Sequence, residues 1–290
     1  MPVATQDLRL AFGSGGRGGA PRVGDIWMVA WDRQDLGLVL VAAVRDGYVL
    51  QWPITNNVDL IASSPSFFLD VPDASMDLVA WPEAEGGMSS AVLSECIATA
   101  VLSDETVRDV RDAVWSQESL PASVRYSDRR DDAAADEALA VVCEFAGFLC
   151  DIEWTAPLPG RSPLDPVKLS QLGIGAREVR AHTSTLAPAS VAALVAGRKV
   201  APLDTVTALA DSVNAGAHEL LSPIVGAAVG VIDEPARKAQ IASIARKLGV
   251  DESLARARVW EVTQRAARAA SDTGISARVD QAIDDLLREP

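Results

Sequence analysis

The residues best equipped for chemistry in this chain are cations, concentrated late in the sequence. From Arg237 to Arg268 there are eight basic residues (Arg237, Lys238, Arg246, Lys247, Arg256, Arg258, Arg265 and Arg268) against Asp251, Glu252 and Glu261. Guanidinium and ammonium groups at this density can neutralise phosphates, the contact by which proteins hold a nucleic-acid backbone. Residues 241–248, Gly249 and then 251–260 carry the rhythm of two helices around a glycine turn. Arg246 and Lys247 end the first helix; Arg256 and Arg258 lie on the second. One reading is a helix that contacts DNA. The other is a solvated helix face laced with ion pairs. A second basic pair, Arg198 and Lys199, follows Gly197.

Other chemistries are poorly supplied. Three cysteines, Cys96, Cys143 and Cys150, stand at irregular spacing. An odd, irregular set makes neither a disulfide framework nor a zinc site, and reads as reduced thiols in the cytoplasm. His182 and His218 have no matching Ser, Cys or carboxylate constellation, so neither a metal nor a cofactor is expected. The run Gly13-Ser14-Gly15-Gly16-Arg17-Gly18-Gly19 has the composition of a phosphate loop but lacks the Lys-Ser/Thr ending and a preceding strand. It reads as part of a flexible arm, residues 1–21. No apolar run reaches the ~18–20 residues of a bilayer span, so no membrane partner is expected.

Charge divides the chain. The net charge of −14 is carried by residues 1–154, with 10 Lys+Arg and 25 Asp+Glu; residues 155–290 carry 16 and 15. The acidic half repels a phosphate backbone, which assigns any duplex contact to the C-terminal half.

The elements that must position these groups change character along the chain. Strands are expected over 23–31, 38–44, 48–55, 66–71, 75–81 and 90–97, with a polar turn over 32–37 and a hairpin signal at Arg45-Asp46-Gly47. A helix from Ser103 to Val114 has Ser103 as N-cap and Asp104 and Glu105 in its first turn. Strands this short and close predict a small barrel or sandwich over 22–116. Residues 117–163 read as a linker with one helix, 135–149, ending in the proline-rich stretch 155–166. Residues 164–290 read as helical, with short helices over 164–172, 176–183, 189–196 and 203–213 and longer ones over 235–248, 252–270 and 276–287.

The N-terminal order resembles the PemK/MazF toxin barrel, an SH3-like fold. Gly24-Asp25-Ile26-Trp27 is similar to that family's opening strand, Leu38-Val39-Leu40-Val41 to its second, and Pro53-Ile54-Thr55 to its strand-ending Pro-Ile-Thr. Met88 to Ile97, ahead of the helix from Ser103, resembles its closing strand and helix. The resemblance implies cleavage of single-stranded RNA, with a basic side chain stabilising the phosphorane-like state and polar groups moving protons. Thr55 matches the family threonine. The arginine that usually opens the second strand is missing, since the chain reads Asp35-Leu36-Gly37-Leu38; Arg33 in the same loop is the candidate substitute. Loss of a fixed cation at a phosphoryl centre costs about 10²–10³ in rate. The expectation is a scaffold that has lost its nuclease.

The C-terminal half resembles an Xre-type helix-turn-helix. Val191 to Lys199 is similar to the end of the recognition helix and its following turn. Pro202 to Val206 with Leu209-Ala210 resembles the next helix, and Glu219-Leu220-Leu221 the closing turn. Gly197 suits a left-handed helix C-terminus and Pro202 the first turn of a helix. The helix 189–196 offers only Ser190 and alanines where base readout needs Arg, Lys, Asn or Gln. Arg198 and Lys199 would then position on phosphate without specifying sequence.

Together these readings predict an α+β protein: a small antiparallel barrel of PemK/MazF type followed by an all-α, helix-turn-helix-like domain. The expected role is that of a toxin–antitoxin-like regulator that binds DNA or a protein partner through its C-terminal half. Two alternatives stand beside it. One is an active endoribonuclease, using Thr55 and Arg33 on RNA, with a regulatory helical domain. The other is an interaction module that binds no nucleic acid. A homodimer is compatible with each. The candidate DNA contacts are Ser190, Arg198, Lys199, Arg246, Lys247, Arg256 and Arg258.

Overall fold

The computed structural model describes residues 19–45, 47–56, 65–71, 77–126, 132–155, 157, 160–183, 186–224, 226–266 and 274–289. Most of the glycine-rich arm, Asp46 of the hairpin signal, the start of the strand expected from 75, the charged run 128–131, and Arg268 lie outside them. The chain divides into two compact units, 1–152 with 233–239, and 153–232 with 240–290.

The first unit is built on an antiparallel seven-stranded sheet: β1 (Ile26–Trp31), β2 (Gln34–Val44), β3 (Tyr48–Thr55), β4 (Phe67–Leu69), β5 (Leu78–Ala80), β6 (Gly86–Ser89) and β7 (Leu93–Ala98). The strand order is β4-β5-β3-β2-β1-β7, with β6 also on β3. One edge of β3 pairs with β2, while β6 and β5 share the other in tandem. Among the described residues no ladder joins β4 to β7. What the sheet bears out is the antiparallel, mixed α+β class.

β1 and β2 meet through Asp32 and Arg33 alone, at φ 48° and 68°, with Trp31 opposite Gln34. Two consecutive positive φ values are the signature of a type I′ hairpin, whose twist matches the flanking strands. The polar turn expected over 32–37 is therefore two residues long, and Gln34 to Gly37 extend β2.

Both faces of the sheet are buried. Ile26, Met28, Leu38, Leu40, Trp52 and Ile54 pack with Val107 and Val110 of helix α1 (Asp104–Ser116). Trp27, Val29, Val39, Val41 and Val49 pack on the other face with Leu149 of helix α2 (Asp132–Cys150) and with Ile152. Two covered faces explain why these strands read as continuous apolar runs rather than alternating ones. Ser103 caps α1, its Oγ accepting from the Thr106 amide at 3.1 Å.

Residues 233–239 belong to this sheet unit although they lie far along the chain. Lys238 is buried, and its Nζ donates to the carbonyls of Ala30 at 2.7 Å and Ala91 at 2.9 Å. The same ammonium lies 4.7 Å from the centre of the Trp31 ring, so two carbonyl dipoles and an aromatic face offset its desolvation.

The second unit is helical: α3 (Pro166–Gln171), α4 (Ala176–Ala181), α5 (Pro188–Val195), α6 (Leu203–Ser212), α7 (Ala227–Ile232), α8 (Lys238–Leu248, its body from Gln240), α9 (Glu252–Ala266) and α10 (Ile275–Arg288). Helix α7, with Gly230 inside it, has no counterpart in the sequence reading. Leu164, Leu169, Val179, Val191, Leu194, Val206, Leu209 and Leu220 join one core cluster across α3 to α6 and the turn after them. Asp165 caps α3 by accepting from the amides of Val167 and Lys168, and Pro166 takes its first position. Gly197 ends α5 at φ 63°, and a Cβ there would stand 2.8 Å from the Leu164 carbonyl oxygen. Glycine is thus required twice over, for conformation and for close approach. Among the described residues no helix is long and apolar enough to cross a membrane.

Candidate nucleic-acid interface

The late basic run does not form one face. Arg237 is buried and paired with Glu234, and Lys238 is the buried anchor described above. Lys247 donates to the carbonyls of Leu286 at 3.1 Å and Leu287 at 2.7 Å, and also to that of Glu289. It closes the C-terminus of α10, where a cation satisfies carbonyls that lack intrahelical donors.

Arg256 corrects the expectation of a DNA-contacting side chain. It is 1 % exposed. Its Nε and Nη2 donate to Glu252 Oε1 at 3.2 and 2.7 Å, and Nη1 donates to the Ile232 carbonyl at 2.9 Å. The guanidinium cross-links α9 to the end of α7 and lies out of a phosphate's reach. Arg258 and Arg265 grip the two oxygens of one buried carboxylate: Arg258 Nη1 to Glu261 Oε2 at 2.9 Å, and Arg265 Nη2 to Glu261 Oε1 at 2.7 Å. Along α9 the ion-pair reading describes the side chains. Arg246 is exposed near the end of α8.

A further set of exposed and half-buried cations stands around α5. Arg198 and Lys199, after the Gly197 turn, line a groove with Arg265, Glu261 and the alanines Ala189, Ala192 and Ala193. The groove encloses about 520 Å³. On its other flank α5 meets α4 across a second groove of about 460 Å³, lined by Ala176, Arg177, Arg180, Ala181, Pro188 and Val191. Arg177 and Arg180 are exposed and stand three apart on α4, which places both on one face. Between them Glu178 is tied to its own helix start, accepting from the Gly175 amide at 2.9 Å. Backbone N–H groups hold its carboxyl below the usual range. Ser190 is half-buried within α5.

Sequence reasoning singled out Arg198 and Lys199 but passed over Arg177 and Arg180. The available signal was their three-residue spacing on a helix next to the proposed recognition helix. Arg265 was counted in the basic run but not placed with Arg198, because only packing joins α9 to the end of α5.

In the sheet unit the two candidate catalytic residues sit in different elements, Thr55 at the end of β3 and Arg33 in the turn between β1 and β2. Thr55 ends β3, where Ile54 lies opposite Leu38, so the residue facing Thr55 on β2 is Gly37. Arg33 lies four residues before Gly37, in the two-residue turn ahead of β2. The Thr55 hydroxyl accepts a hydrogen bond from the Trp81 indole at 2.9 Å, which gives it a structural partner. A second indole, that of Trp52, donates to Glu85 at 2.9 Å, and Glu85 is also 2.8 Å from Arg111.

The cysteines are all free thiols. Burial, with Asp25 nearby, pushes Cys96 up to about 11; partial burial also raises Cys143 and Cys150. Among the described residues no three His, Cys, Asp or Glu side chains come together as a metal-binding group. Compared with known proteins, the chain matches no family model, no curated sequence and no solved structure.

Proposed function

We propose that this protein is a toxin–antitoxin-like regulator: a PemK/MazF-like sheet unit that no longer cuts RNA, joined to an Xre-like helical unit that holds duplex DNA. The observation that carries the reading is the groove beside α5, where Arg198 and Lys199 meet Arg265. These cations come from two distant stretches of sequence and share one concave surface, as phosphate gripping requires. Loss of the nuclease rests on the chain itself, which has no arginine at Gly37, and on a Thr55 hydroxyl already bonded to Trp81.

The test is a salt titration of duplex DNA binding by full-length protein and by an Arg198→Ala, Lys199→Ala variant. The wild type should bind at low salt, and the variant should lose about one unit of log–log salt slope per phosphate contact removed. Wild-type binding with an unchanged slope in the variant would detach the groove from the function. A protein partner is the second reading, favoured by the alanine floor of the same groove, which presents no hydrogen-bonding side chain.

A further inference from the structure

Resting on the duplex-DNA reading, we infer that the helical unit grips DNA by both strands at once and without regard to base sequence, selecting B-form over A-form geometry. α5 runs between two grooves with cations on each: Arg177 and Arg180 on one flank, Arg198 and Lys199 on the other, joined there by Arg265. Among the described residues no salt bridge spends the charge of the first four, whereas Arg265 shares Glu261 with Arg258.

Toward the Arg198 groove α5 presents Ala189 and Ala192 as exposed positions and Ala193 as half-buried, with exposed Pro188 toward the other groove, half-buried Ser190, and exposed Ala196 just past its end. Apart from the short Ser190 hydroxyl, nothing there can address a base edge with the paired donors and acceptors that discriminate bases. The helix is narrow for the same reason. A helix with full-sized side chains is ~10–12 Å across, and the B-form major groove is ~12 Å wide. An alanine-faced helix enters such a groove with room to spare, which brings the flanking cations toward the phosphates on either side. The A-form major groove of duplex RNA is too deep and narrow to admit it. Four cations in no salt bridge, one of them Arg177 beside the Glu178 carboxylate, correspond to a log–log salt slope of at most about −3 to −4.

The experiment uses full-length protein at low salt with three labelled duplexes: two DNA duplexes of unrelated sequence and equal length, and an RNA duplex matching one of them. The two DNA duplexes should bind within about 2-fold of each other and the RNA duplex at least about 10-fold more weakly. Arg177→Ala, Arg180→Ala and Arg198→Ala, Lys199→Ala variants, with three sites exposed and Lys199 half-buried, should each flatten the slope by about 2 units while circular dichroism stays unchanged. A DNA preference above about 10-fold, equal RNA affinity, or a slope that responds to the Arg198 and Lys199 flank only would overturn this inference and leave the DNA reading intact; a slope that responds to Arg177 and Arg180 only would overturn this inference and detach the Arg198 groove as well. No binding of any duplex at low salt would overturn both.

Discussion

Replacing Arg256 with alanine separates a structural cation from a DNA-contacting one. The side chain is 1 % exposed, and each of its three donor nitrogens has a bond within the helical unit: Nε and Nη2 to Glu252 and Nη1 to the Ile232 carbonyl. Arg256→Ala takes the guanidinium from a carboxylate that is itself 2 % exposed and from the last carbonyl of α7. Breaking a buried pair from one side costs about 3–5 kcal/mol, because the remaining charge is left desolvated. For a unit of this size, each kcal/mol lowers the melting temperature by roughly 3–5 °C. The helical unit should therefore melt roughly 10–20 °C lower, as read by the loss of helical circular dichroism. An apolar double variant, Glu252→Leu with Arg256→Met, should recover most of that loss, since it removes both charges together. Duplex binding measured well below the lowered transition should keep its wild-type salt slope. A variant that melts as the wild type does but loses a unit of slope would refute the burial argument and return Arg256 to the interface.

Three further outcomes are expected. Gly24→Ala should destabilise the sheet unit severely, because the backbone there has φ +82° and a Cβ would fall 1.9 Å from the Leu102 carbonyl oxygen; a thermal shift under ~2 °C would contradict that geometry. At pH 8 the exposed Cys143 should be alkylated before Cys96, whose thiol is pushed up to about 11 and so is almost wholly protonated; raising the pH toward 11 should narrow the gap, and mass spectrometry showing Cys96 modified first would be the contrary result. Purified protein should leave single-stranded RNA uncut, and Thr55→Val should cost about 1 kcal/mol by removing the acceptor for Trp81; cleavage abolished by Thr55→Val would restore the nuclease.

The sequence by itself determined what depends on near neighbours. Ser103 with Asp104 and Glu105 announced α1, Tyr48 to Thr55 announced β3, and Gly197 announced the end of α5, because caps, short apolar runs and positive φ act within a few residues. The switch from a strand-rich to a helical half was legible for the same reason. Tertiary structure alone decided the fate of each cation. Arg198 and Arg256 are chemically identical in the sequence, yet one lines an open groove and the other is sealed between α7 and α9. Lys238 reads as one more charge in a basic run, and only the return of 233–239 to the sheet gives it the carbonyls of Ala30 and Ala91. Arg177 and Arg180 gain meaning only when α4 packs beside α5. A side chain's charge is written in its residue type; its solvation and its partners are set by segments distant in the chain, and those decide whether the charge holds the fold or faces a ligand.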